Sequence, residues 1–222
     1  MSRLAVVFSD RAWTFDYGVA RALIVRLDEG ELLVVSPPSG MRDEGWREVE
    51  ALGTVRWLVA PNHFHNGGLA AWAARYPDAR VVAEEAAHAR LRRVVPGLHL
   101  TGTAACRAAL PGWVSLDAVP YARQGELMVV VEGERRVWFV VDAIVHEARL
   151  HGVRGALFWL LGFRTRLQRN PIFWTLFVSD RAAAADWWRR RLAQAPPDVF
   201  LPSHGRATDA GAAEALAALF DA

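Results

Sequence analysis

The amino-acid sequence predicts an α/β sandwich, with two mixed β-sheets inside and helices outside. Three observations carry this. Short apolar runs bounded by turn residues open the chain, helical and strand patterns then alternate, and a second block of strands is followed by helix–strand–helix. No linker and no long repeat divides the 222 residues, so a single domain is expected over 1–222.

Taken in order, LAVVFS, ARALIVRL and ELLVVS read as strands, with Asp28 to Gly30 turning between the last two. A helix is expected near Arg42 to Leu52, then the buried strand VRWLVA, a helix after Gly67-Gly68, the strand ARVVAEE and the helix EAAHARLRRV. Strands near Trp113 to Val119, Glu126 to Glu132 and Arg135 to Val141 follow, the last two joined by the turn EGER. From His146 to Leu176 the text is rich in Arg, Trp, Phe and Leu and has no clean strand period. It reads as an aromatic-rich insertion around 150–177, with core packing, a lid or a dimer surface over 155–177 as its candidate roles. A helix starts at Ser179, a plausible N-cap, and runs to about Ala195; a short strand in PPDVFLPSHG and a helix over Asp209 to Phe220 close the chain.

Composition excludes several classes. Hydrophobic residues make up 53% and charged residues 23%, a globular balance. The net charge is only +2, and the arginine clusters RLRRV, RTRLQR and WWRRRL are scattered, so a nucleic-acid partner is not expected. No lysine occurs, which removes Schiff-base and P-loop chemistry. The single cysteine, Cys106, excludes an internal disulfide framework and reads as a small core residue. The start MSRLAVVFSD lacks a signal-peptide pattern, and the longest apolar run, Gly155 to Phe163, is well short of the roughly 18 residues a membrane span needs. The expected location is the cytoplasm, with no membrane span.

Three polar points stand where apolar strands end: PNHFHNGG, FVVDAIVH and FLPSHGRAT. Strand ends are where α/β folds place functional side chains. His65, Asp142 and His204 offer two imidazoles and a carboxylate, a donor set suited to zinc, iron or manganese, and His63 adds a candidate fourth ligand. The other histidines carry no such pattern: His88 reads as a solvated position on a charged helix, His99 and His151 lack partners, and His146 lies near the rim of Asp142.

On these residues the chain resembles the metallo-β-lactamase fold superfamily, in a branch whose His-x-His-x-Asp-His motif is degenerate. The resemblance covers the opening hairpins, LVAPNHFHNGGLAAWAARYPDARVVA, the FVVD strand end and the terminal FLPSHGRAT. It implies a four-layer αββα sandwich. Anchored on Gly67-Gly68, His65 takes the last histidine of the motif, Phe64 the aspartate, Asn62 and Ala60 the first two histidines. Asp142 takes the bridging aspartate, His204 the final histidine, and Ala122 the place of the middle one. A second alignment pairs His63 with His65.

The resemblance implies a metal-dependent hydrolase with a reduced, mononuclear site holding one divalent ion, zinc first and iron or manganese as alternatives. Asp142 and Asn62 are the candidate catalytic residues, although an amide such as Asn62 exchanges hydrogen bonds and cannot act as a base. The substrate is a small molecule with an ester, thioester, lactone or phosphoester bond. The competing reading is a non-catalytic protein of the same fold that binds a small molecule or a protein partner without metal.

Overall fold

The computed structural model describes residues 4–8, 10–147 and 152–221. Their chain contacts divide into two compact units, Met1–Leu116 and Asp117–Ala222.

In the first unit seven strands pair in sequence order: β1 (Leu4–Phe8), β2 (Ala12–Tyr17), β3 (Ala20–Arg26), β4 (Glu31–Val35), β5 (Thr54–Val59), β6 (Arg80–Val82) and β7 (Leu100–Thr101). The first four form an antiparallel meander and the last four pair parallel, so the sheet is mixed as expected. Parallel neighbours need crossovers, and the helices α1 (Asp43–Leu52), α2 (Leu69–Arg75) and α3 (Glu85–Val94) supply them. Val49, Leu69, Trp72, Ala87 and Leu91 from these helices pack on Ile24, Leu32, Val34, Val55 and Leu58. The alternate residues Leu23, Val25, Leu33, Val35 and Val59 are buried too, so both faces of the central strands are covered. That explains why these strands read as continuous apolar runs rather than alternating ones. The expected Asp28–Gly30 turn is present as a 3₁₀ turn, with Glu29 at φ 60° and Gly30 at φ 75°.

The pattern does not predict β2, β7 or α4 (Thr103–Ala109). Thr14 and Asp16 interrupt the apolar text of β2, β7 is two residues long, and α4 has neither an acidic first turn nor a side-chain cap. Cys106 on α4 is wholly buried, and that burial pushes its thiol up to about 12. Native protein should therefore resist iodoacetamide at mildly alkaline pH and label fully once denatured. Labelling of the native protein at the denatured rate would show that Cys106 is not a core residue.

The second sheet has the order β13-β10-β9-β8, with β8 (Val114–Ala118) containing the boundary between the units, and β9 (Leu127–Val131), β10 (Val137–Val140) and β13 (Val199–Pro202) in the second. β10 pairs antiparallel with β9 and parallel with β13, again a mixed sheet. A hairpin-like pair, β11 (Ile144–His146) with β12 (Leu167–Arg169), and the helices α5 (Gly152–Leu160), α6 (Arg181–Gln194) and α7 (Ala212–Ala217) complete the second unit. Its core joins Met128, Val130, Trp138, Val140 and Phe200 of the sheet to Trp188, Leu192, Leu216 and Phe220. Trp188 stacks on Phe220 at 5.7 Å, with the rings 8° from parallel.

One expectation is corrected in this region. Asp180, not Ser179, caps α6: its carboxylate accepts the Ala183 N–H at 3.0 Å, while Ser179 Oγ donates to the Tyr121 carbonyl. The segment expected as one insertion is built of α5, β12 and a π-helical turn, Phe173–Phe177. Positions 150 and 151, and with them the expectation for His151, lie outside the described residues.

Candidate metal centre

In the first unit β5 ends at Val59, and the chain turns through Pro61 to Gly68 before α2 begins. Asn62, wholly buried, shapes that turn: its Oδ1 accepts the N–H groups of Phe64 at 2.8 Å and His65 at 3.1 Å. This Asx-type closure replaces backbone bonds that a loop cannot make with its own strand. Gly68 lets the helix begin close by, because a Cβ there would meet the Pro37 and Pro38 carbonyl oxygens at 2.3 Å. Trp72 Nε1 donates to the same Pro38 carbonyl. Of the two anchoring glycines only Gly68 is sterically required; Gly67 has room, its nearest neighbour being Ser39 at 3.7 Å.

His65, brought in by this turn, is buried, and its Nδ1 lies 2.7 Å from Ser36 Oγ. Ser36 follows β4 at φ 58°, an uncommon left-handed conformation for a residue with a side chain. Its hydroxyl also meets Tyr17 OH at 2.6 Å. A Tyr17–Ser36–His65 chain thus fixes the ring, and with Nδ1 engaged by Ser36, ligation would go through Nε2. His63 is half-buried, its ring edge-on to Phe64 at 4.2 Å, and Phe64 is 44% exposed.

In the second unit β10 delivers Asp142 just past its end. Glu126, fully buried, accepts the backbone N–H of Asp142 at 2.7 Å and of Ala143 at 3.0 Å. The Ala143 carbonyl in turn accepts Trp174 Nε1 at 2.9 Å and the Asn170 N–H at 3.2 Å. β13, parallel to β10, delivers His204 beside it. The His146 N–H donates to the His204 carbonyl at 3.1 Å, and the Arg206 N–H donates to the His146 carbonyl at 2.8 Å. His204 Nε2 stands 3.4 Å from Asp142 Oδ1.

That separation is long for a charged hydrogen bond. It equals the edge of a tetrahedron about an ion with ligand bonds near 2.1 Å, roughly 3.4 Å. Two imidazoles and one carboxylate also make a chemically suitable donor set. The residues present fit a divalent ion.

His146, expected at the rim, is turned to Thr208, Nδ1 to Oγ1 at 3.0 Å. Burial first, then the nearby Arg206 charge, lowers the pKa of its ring, which disfavours the protonated form. His88 is not fully solvated as expected: it is half-buried, with Nε2 3.1 Å from the Ala83 carbonyl. Sequence reading passes over Tyr17, Ser36 and Glu126. Glu126 alone leaves a trace, a single acid opening the apolar run LMVVV.

No family model and no curated protein matches the sequence. Solved structures do. The DIM-1 metallo-β-lactamase exposed to ceftazidime superposes with a TM-score of 0.64 at 13% identity, over 99% of this chain and 96% of that one. A metallo-β-lactamase from Hirschia baltica gives 0.59 at 11% identity, over 99% and 98%. A mutant flavo-diiron protein from Thermotoga maritima gives 0.62 at 10% identity, over 96% of this chain and 60% of that one. With its seven-stranded and four-stranded mixed sheets, the chain has the αββα sandwich architecture. Its fold is that of the metallo-β-lactamases.

Proposed function

We propose that this protein is a metal-dependent hydrolase with a reduced site, in which His65, Asp142 and His204 hold one divalent ion. The supporting observation is that paired strands bring His204 Nε2 to 3.4 Å from Asp142 Oδ1, and His65 adds a second imidazole to make a donor set suited to a divalent ion. Zinc suits the donors best, with iron or manganese next. When bound, such an ion supplies Lewis-acid polarisation of a substrate oxygen and makes water a nucleophile near neutral pH.

The chain's own residues do the rest. Ser36 and Tyr17 orient His65, and Glu126 orients the backbone that carries Asp142. Asp142, its Oδ1 3.4 Å from His204 Nε2, is our candidate for accepting a proton at the reacting centre. Asn62 acts as a positioning residue through the turn it closes. His63, half-buried with its ring against Phe64, serves at most as an accessory ligand. The substrate class is an ester, thioester, lactone or phosphoester of a small molecule.

Elemental analysis of protein purified without chelators or a histidine tag tests the reading. About one ion per chain is expected, retained by His63→Ala at reduced occupancy and lost in His65→Ala and His204→Ala. No metal in the parent chain, even after incubation with excess zinc, would falsify the hydrolase. Ser36→Ala should weaken zinc affinity by about 10–100-fold in a competition titration, since it releases the outer nitrogen of a ligand. An unchanged affinity would detach Ser36 from the site.

One observation favours a second reading. Ala60 and Ala122, which stand where the family motif has histidines, are buried and carry no ligand atom. A metal-free binding protein on the same fold is the alternative, and metal content separates the two.

A further inference from the structure

The acid-free segment between Glu147 and Asp180 divides into two parts. Phe173 and Trp174 enter the core of the second unit. α5 does the opposite and turns apolar side chains to solvent. Val153 is 90% exposed, Leu160 74%, Leu157 55%, Trp159 54% and Leu161 45%. Val153, Leu157 and Leu160 are spaced i, i+4, i+7 and make one stripe of the helix. Phe158 turns away from that stripe and packs on Phe163, ring centroids 5.0 Å apart. Single exposed leucines are ordinary, but five large apolar residues within nine positions form a patch.

Charge stands beside the patch. Residues 148–179 contain five arginines and no aspartate or glutamate. Arg164 Nη1 donates to the carbonyls of Trp159 and Phe163, and its guanidinium lies 4.7 Å from the Trp159 ring. Arg166 is exposed two residues on.

We propose that α5 and the arginines following it dock the protein on an anionic lipid surface, with the helix lying in the plane of the interface. Leucine and tryptophan enter the boundary between headgroups and acyl chains while arginines meet the phosphates, which is how interfacial helices bind. The helix does not span: nine residues reach roughly 14 Å, and no helix among the described residues is long and apolar enough to cross a membrane. A second copy is a poorer occupant, because self-association would bring Arg164 and Arg166 of one copy toward those of the other. A nucleic acid leaves the leucine stripe without a partner.

Co-sedimentation of the full chain with vesicles tests this. Binding is expected with phosphatidylcholine–phosphatidylserine vesicles, little with phosphatidylcholine alone, and less of either at high salt. Leu157→Ser combined with Leu160→Ser should lower partitioning by about tenfold or more, with an unchanged melting curve because both side chains are at the surface. Arg166→Glu should weaken binding to the anionic vesicles selectively. The proposal fails if neither vesicle binds the parent chain, or if the double serine variant binds as well as the parent. It fails also if lipid-free protein sediments as a dimer that the serine variant converts to monomer, which would make the patch a self-interface.

Discussion

Replacing Gly205 with alanine is expected to lower the melting temperature by roughly 6–12 °C, the equivalent of about 3 kcal/mol in a chain of this size. Two effects add there. Gly205 sits at φ 98°, where a side chain is strained, and a Cβ would stand 1.9 Å from the His146 carbonyl oxygen. The contact is backbone against backbone, so no rotamer change relieves it. It lies inside the clasp in which His146 donates to His204 and accepts from Arg206. Opening the clasp should loosen His204 beside Asp142, so on the proposed metal-binding reading metal retention should fall together with stability. Gly97→Ala is the control: Gly97 has φ 79° but nothing within 4 Å of a Cβ, so it feels the backbone strain alone. Thermal melts of both variants separate the two contributions. Equal shifts would mean that the His146 contact is not what confines position 205 to glycine.

Replacing Glu126 with alanine should destabilise the second unit by about 4 kcal/mol, since the N–H groups of Asp142 and Ala143 lose their shared acceptor at once. Glu126 is fully buried at the start of β9, and its Oε1 takes both the Asp142 and Ala143 amides. Glu126→Gln keeps an acceptor oxygen in the same place and should lose less. Denaturant unfolding gives both values. On the proposed metal-binding reading, metal content gives the second readout: the alanine variant should retain less metal even where it remains folded, because the loop carrying Asp142 is no longer held. A folded alanine variant with full metal occupancy would reduce Glu126 to a stabilising residue with no bearing on the site.

Much of the architecture is legible in the text because strands and helices of this length declare themselves. α3 falls on EAAHARLRRV, and β5, Thr54–Val59, overlaps all but the last residue of VRWLVA. Elements too short or too polar to leave a period, such as β7 and the Thr14–Asp16 stretch of β2, are held by their neighbours instead. The cap of α6 is misread by one residue for a similar reason. Ser179 and Asp180 are equally good caps in isolation, and only the pairing of Ser179 with Tyr121 assigns the role to Asp180.

By itself the sequence determined that the chain is an α/β sandwich of mixed sheets and that His65, Asp142 and His204 close three apolar strands. Periodicity and turn chemistry are local, and they survive in linear text. The tertiary structure decided which groups hold those residues: Ser36 reaching His65 from 29 positions away, Glu126 reaching Asp142 from 16, and His146 clasping the backbone around Gly205. It also decided that Phe173 and Trp174 are core while Leu157 and Leu160, equally apolar in the text, face solvent. Hydrophobicity states what a side chain would gain by burial, but only the packing of distant elements determines whether a place exists to bury it.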